Sequence, residues 1–479
     1  MASAEELLEE RIPNGAIVFE DIELRQTPVS RERVDPPILE YCTMHPKDPK
    51  VQILSNGDLS AVLTDVGSGY LMGQGMDITR HSDDLLRDPS GIVALFSSNK
   101  GLLSPTFAPL YEEGIDYLTS FGPNFASFTG TKEELSMTLN LSLHPSTPVE
   151  QVAICIENRG KRGRKGSMLL HFDPVLSRRA DHKAHPLFEQ LFVGLDYDAD
   201  TAALIYHKRP RSGSAAVCLA CGFLEPIAFS YTGEKSKLYR RQTGFDALRE
   251  FSKVSFDRSS GVPDTTCAIR VDMTIAAASK AEMTFVLCVG RSRSEALSRL
   301  IAARRRGRLR NDDAAFAPLM GDRMENRLGF SLLPQLLYRV EGAQVEERAV
   351  EQNTLGQSGL WGLGISGDFP IVLMHIKAIE ELERAAAYML AHRDVHAVGI
   401  RFDLVFILDD YEEALRDLLY REAERGSLSD LFGGRGGIHL VDGSTLSQDV
   451  RILLHAAAVH IATPSAAREL PAYEPYRCV

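Results

Sequence analysis

Trp361, the chain's only tryptophan, stands among five glycines between Asn353 and Asp368, and Asp368 is followed by Phe369, Pro370 and a run of strand formers. A tryptophan on a Gly-rich loop can offer a flat apolar face to a sugar ring, while a nearby carboxylate takes hydrogen bonds from the hydroxyls. The same residues would equally suit a loop closing onto a buried strand, or a domain interface. Asp77, Arg80, Asp83 and Asp84 share an earlier loop whose charges could hydrogen-bond sugar hydroxyls or form a salt-bridged rim. Tyr70, after Gly67-Ser68-Gly69, can stack on a sugar or pack on its own turn. Tyr70, Asp77, Arg80, Trp361 and Asp368 are therefore the candidate substrate-binding residues. No catalytic residue and no metal site is assigned. No Ser-His-Asp or Cys-His arrangement can be assembled. His182 and His185 lie among the basic residues Arg179 and Lys183, a poor setting for a cation. Cys218 and Cys221 have the spacing of a metal or redox pair, but they sit in an apolar β-like run where residues three apart face opposite sides. A buried strand is expected there.

Composition bounds the function classes. A chain of 479 residues with 44% apolar and 25% charged residues is long enough for two to four ordinary globular domains. A net charge of −12 argues against a nucleic-acid partner, since phosphate backbones are met by clustered Lys and Arg. The two basic clusters, Arg159 to Lys165 and Arg304 to Arg310, read as a solvated turn and a locally ion-paired helix. No apolar run approaches the length of about 18 residues that spans a bilayer, so no membrane partner is expected. An acidic N-terminus without a signal-peptide pattern, together with scattered cysteines, fits a cytoplasmic protein.

The elements that would position these residues fall into segments. Residues 1–35 form an N-terminal extension. Residues 36–290 read as a large antiparallel β assembly, with period-two runs such as Leu135, Met137, Leu139, Leu141 and Leu143. Asn56-Gly57 is a hairpin signal because both residues tolerate positive φ. Short strands over this length imply a sandwich or barrel. Ser292 to Glu295 spells a capping box opening a helical linker, 291–345, interrupted near Pro318. Residues 346–465 alternate strand and helix: Ile371 to Met374, a helix after it, Val398 to Leu408, Tyr411 to Glu424, Ile438 to Leu440, and a helix from Val450 to Ala462. That series implies a small parallel sheet with right-handed crossovers. Its switch-point crevice could hold a ligand, but no Gly-x-Gly-x-x-Gly or P-loop follows a strand, so no nucleotide is expected. Residues 466–479 read as an unstructured tail.

Several motifs occur in order: Pro36 to Tyr41, Gly67 to Tyr70, Asp77 to Arg80, His185 to Phe192, Lys208 to Arg211, Gly290 to Leu297, Gly364 to Leu373, Asp403 to Leu408 and Gly436 to His439. Together they resemble glycoside hydrolase family 94, in the branch that acts on β-1,2-glucans. The resemblance implies a galactose-mutarotase-like antiparallel β supersandwich, a helical linker and a small α/β segment, followed in the full-length family by an (α/α)₆ barrel. It also implies a β-linked glucan oligosaccharide as partner, inverting phosphorolysis to α-glucose 1-phosphate with inorganic phosphate as co-substrate, and no other cofactor. A homodimer is compatible with it. His81 and Leu103 stand where the family favours tryptophan-containing pairs, which removes aromatic stacking surface. A barrel of twelve helices needs roughly 200 residues or more. Fewer follow the linker, so the expectation is an N-terminal, non-catalytic portion of such a phosphorylase. The alternatives are part of a glucan-synthase-like glycosyltransferase, or a stand-alone epimerase-like sandwich with a His acid and a carboxylate base converging in its cleft.

Overall fold

Alternation between Leu135 and Leu143 builds a nine-residue strand, Leu135–Leu143, paired on both sides with antiparallel neighbours, Phe125–Lys132 and Val149–Asn158. The computed structural model describes residues 38–42, 44, 47–209, 216–240, 243–259, 264–315, 317–321, 323–338, 347–409 and 413–462. The expected N-terminal extension and C-terminal tail lie outside the described residues, as do Arg211 and Tyr411.

Three antiparallel sheets make the supersandwich. The largest has nine strands and includes Asp116–Gly122, Val149–Asn158, Ser279–Gly290 and Cys218–Phe223. Two five-stranded sheets face it. One is built on Arg164–Phe172, flanked by Val93–Ser98 and Thr265–Ile275. The other runs Pro174–Ser177, Met76–Thr79, Gly69–Gly73, Leu59–Thr64, Val51–Ser55. Leu54, Leu63, Phe128, Leu139, Ile154, Leu170 and Phe285 interdigitate in one core between the layers. The Asn56-Gly57 turn forms as expected: Gly57 sits at φ +87° and Asn56 Oδ1 accepts from the Leu59 amide at 2.8 Å. Cys218 and Cys221 are buried on one strand of the nine-stranded sheet.

Ser292 caps the helix Arg293–Arg306 by accepting from the Glu295 amide. That helix lies on the outside of the nine-stranded sheet, over Val149, Val286 and Cys288. A second linker helix, Met324–Leu337, buries Leu328, Leu332, Leu333 and Leu336. It packs against Val51, Ile53, Val62 and Tyr70 of the second five-stranded sheet.

The last segment is a four-stranded, wholly parallel sheet in the order Ile438–Asp442, Asp403–Leu408, Ile371–Ile376, Ala458–Ala462. Helices Leu382–Ala397 and Glu413–Arg425 cover one face. Helix Gln448–Ala457 and the short 3₁₀ turn Gln357–Leu363 cover the other. Two readings are corrected. The helix expected to reach Ala462 ends at Ala457, and Ala458–Ala462 is a fourth strand beside Ile371–Ile376, where Val459 and Ile461 satisfy a pleated edge better than a helix. The strand expected from Val398 begins only at Asp403, because Gly399 turns the chain at φ +92°. Among the described residues, no helix is long and apolar enough to cross a membrane.

Candidate functional site

The Thr79-to-Pro89 loop carries Arg80 into a cleft at the rim of the sandwich. Strand Arg164–Phe172 puts His171 on the cleft side, and two residues on, Asp173 follows on the same side. The Arg80 amide donates to the Asp173 carbonyl at 2.9 Å, which anchors the loop. Its guanidinium reaches Asp88 Oδ2 at 2.6 Å, the Pro89 carbonyl at 3.1 Å and Asp173 Oδ2 at 3.4 Å. Asp173 also accepts from Lys235 Nζ at 2.8 Å and Thr266 Oγ1 at 2.7 Å. His171 Nε2 lies 2.9 Å from Thr266 Oγ1 and 3.3 Å from the Tyr239 hydroxyl.

Electrostatics fix the protonation states. Burial alone would raise the Asp173 carboxyl, but Lys235, His171 and Arg80 outweigh it and hold the group well below the usual carboxylate range. Burial pushes the His171 imidazole down to about 4, despite Asp173. Near neutral pH the cleft therefore holds a carboxylate between two cations and a neutral imidazole. Gly67, Gly91, Ala108 and Phe245 complete its lining. The room inside the cleft is only about 20 Å³. That admits a water, or a hydroxyl of a larger molecule resting on the rim.

Tyr70 and Asp77 lie in a second cluster. Asp77 takes a two-pronged ion pair from Arg179, with contacts of 3.0 and 2.7 Å. The Arg179 guanidinium stands 4.6 Å from the Tyr70 ring centre, and His81 meets the ring edge-on at 4.7 Å. Tyr70 is only 3% exposed, so no face of the ring is open to a sugar in this arrangement. Burial first, then the Arg179 and Lys183 charges, drive the His81 imidazole down to about 2. His182 is half-buried and His185 exposed, and among the described residues no three His, Cys, Asp or Glu side chains come together around a common point.

Trp361 and Asp368 occupy a third place, at the amino ends of the parallel strands. Leu360 and Ile365 are buried against the sheet and pin the loop. Gly364 and Gly367 turn it at φ +74° and +73°. Gln357 Nε2 ties it by donating to the Ser366 carbonyl at 2.8 Å and Asp368 Oδ1 at 3.1 Å. The other Asp368 oxygen pairs with Arg435, from the loop before Ile438–Asp442. Trp361 is left 64% exposed on this braced loop. Among the described residues, no hydrogen bond, ion pair or ring contact joins Trp361 or Asp368 to Tyr70, Asp77 or Arg80. The five candidates thus fall into three groups. Sequence reasoning missed His171, Asp173, Lys235, Tyr239 and Thr266. The available signal was His171 and Asp173 breaking the apolar run that starts at Met168.

The family model described as "Glycosyl hydrolase 94, supersandwich domain" matches residues 36–306. The cyclic beta-(1,2)-glucan synthase NdvB of Rhizobium meliloti (strain 1021) is 23% identical over 390 residues, covering 78% of this chain. The chain spans 14% of that synthase's length. Among solved structures, a bacterial glucoamylase complexed with acarbose aligns at 10% identity and TM-score 0.35, over 56% of this chain and 38% of that one. With the family model covering more than half of its length, the chain belongs to glycosyl hydrolase family 94, as the bearer of that family's supersandwich domain.

Proposed function

We propose that this chain is a sugar-binding, non-catalytic part of a β-1,2-glucan-processing enzyme. Its reaction would be phosphorolysis of β-1,2-glucooligosaccharides to α-glucose 1-phosphate. The supersandwich, linker and α/β segment would shape and cover the active site, and Trp361 would supply an apolar platform. The observation that carries this reading is Trp361, 64% exposed on a loop braced by Gln357, Asp368 and Arg435. An exposed indole on a loop held this firmly costs little ordering entropy on binding. The β-1,2 linkage is drawn from the synthase relative.

Because Trp361 is the sole tryptophan, its fluorescence reports one site. Adding β-1,2-glucooligosaccharides should shift or quench that emission in a saturable way, and β-1,4-linked oligomers should do so less. Unchanged emission together with no heat of binding would sink the proposal. Release of glucose 1-phosphate in the presence of phosphate would overturn its non-catalytic part.

One observation favours a second reading, in which the sandwich is itself an epimerase: His171 and Asp173 converge in the cleft, 3.6 Å apart. Against it, Asp173 is already engaged by two cations and both residues are buried, which makes a weak base and an inaccessible acid. Catalysed interconversion of glucose anomers would support the epimerase.

A further inference from the structure

The parallel sheet reverses its winding beside strand Ile371–Ile376. From there the chain passes through helix Leu382–Ala397 to Asp403–Leu408 on one side, and it returns to Ala458–Ala462 on the other. The carboxyl ends of strands that part in this way are where open α/β sheets receive ligands. Arg384 stands in the first turn of the helix that borders this crevice. Side chains on a helix lean toward its N-terminus, so Arg384 lies over that opening turn. The residue is only 9% exposed, and its Nη1 is sealed from water without an acceptor. Among the described residues no carboxylate comes within ion-pair reach of the guanidinium. Glu381, three residues earlier, accepts instead from the Lys377 amide at 2.7 Å, and Glu380 and Glu383 are exposed.

The groups beside Arg384 are neutral, and their hydrogen bonds run in one direction. Gln335 Oε1, on helix Met324–Leu337, accepts from His460 Nδ1 at 2.8 Å. His460 Nε2 is then left with a lone pair, and the Tyr388 hydroxyl donates to it at 3.1 Å. The Arg384 guanidinium carbon stands 5.8 Å from the centre of the Tyr388 ring. Burial first, then the charge of Arg384, hold the His460 imidazole down at about 4, so it carries no charge near neutral pH. A guanidinium taken this far out of water without a counter-charge is costly, and a ligand that supplies the counter-charge relieves that cost.

We propose that Arg384 anchors a binding site for the carboxylate of a small organic acid in this crevice. A guanidinium matches a carboxylate through two parallel N–H···O bonds. Nε and Nη2 of Arg384, which are not sealed, form the open edge for that contact. One positive charge in an otherwise neutral network suits a singly charged oxyanion better than a phosphate dianion. The positive end of the helix dipole favours an anion at the same place. Trp361 lies at the opposite, amino ends of the strands, so this site stands apart from the proposed sugar platform.

The test is saturation-transfer NMR on acetate with the full chain, in chloride buffer of constant ionic strength at about pH 8, where phosphate is a dianion. Saturation should pass to the acetate methyl group in a saturable way, and Arg384→Gln should cut it about fivefold or more. Arg384→Lys keeps the charge but loses the paired donors, and should weaken acetate binding about threefold or more. Inorganic phosphate should displace acetate no better than chloride does. No transfer, equal transfer in Arg384→Gln, or displacement by phosphate beyond that by chloride would overturn the proposal, the last because the site then takes a dianion. If Arg384→Gln does not fold, modification of the wild-type chain by phenylglyoxal decides: acetate that slows the reaction at Arg384 supports the site, and an unchanged rate refutes it.

Discussion

Asp173 organises more of the sandwich cleft than any residue a motif singles out. Its carboxylate takes Lys235, Arg80 and Thr266 together, in a setting almost closed to water. Asp173→Asn strands two cations beside a neutral amide, and the expected cost at pH 7 is about 3 kcal/mol, read from urea unfolding. The pH dependence follows from the depressed carboxyl. Its contribution is present above the unfolded-state value of about 3.9 and is lost as pH falls toward the folded one. The gap between wild type and variant should therefore close between about pH 5 and pH 2. Arg179 supports a parallel case, since it pairs with Asp77 through two hydrogen bonds while lying over Tyr70. Arg179→Lys keeps the charge but loses the fork and the stacking, at a cost of about 2 kcal/mol by the same measurement. Tyr70, Asp77 and Arg80 were legible as a charged turn beside an aromatic residue. Their partners were not, because Arg179 and Asp173 lie far along the chain and only strand pairing brings them near.

Elements were read best where the signal is local. The Asn56-Gly57 turn and the Ser292 cap rest on the chemistry of adjacent residues, and both form. Ser292→Ala should destabilise by about 1 kcal/mol without altering the strands, visible as a lower denaturation midpoint at constant slope. The strand Ala458–Ala462 failed for the opposite reason. Ala456, Ala457 and Ala458 are strong helix formers, and the two β-branched residues after them decide the outcome only through pairing with Ile371–Ile376. The α/β alternation itself was legible from periodicity. The fourth strand, and with it the switch point beside the first, required tertiary contact to exist.

For the molecule as a whole, acid sensitivity follows from opposing buried groups. Burial pushes His171, His392 and His460 down to about 4 and His81 to about 2. Each favours folding above the unfolded histidine value of about 6.5, and that contribution fades as pH drops below it. Burial acts the other way on Asp65, raised to about 7, and Glu150, raised to about 8, which gain stability as pH falls through those values. Between about pH 6.5 and 4.5, four imidazoles outweigh two carboxyls, so urea midpoints should fall steadily across that window. As pH rises from about 4.5 to 8, Glu150 is ionised in the unfolded chain but still protonated in the folded one, so Glu150→Gln should remove its share of the loss of stability across that window, read from urea midpoints.

The second five-stranded sheet has an inward and an outward face, and both are covered. Strands Val51–Ser55 and Leu59–Thr64 are buried along their whole length, with Leu54 and Leu63 in the sandwich core and Val51, Ile53, Val62 and Tyr70 under helix Met324–Leu337. This has a practical meaning for anyone dissecting the gene. A fragment stopped at residue 306 would carry a bare, oily wall of β-strand into water. It should be recovered as aggregate, and so should one stopped at Leu337, which would bare the helix face that Leu382–Ala397 covers; a fragment carried through Ala462 should stay dispersed.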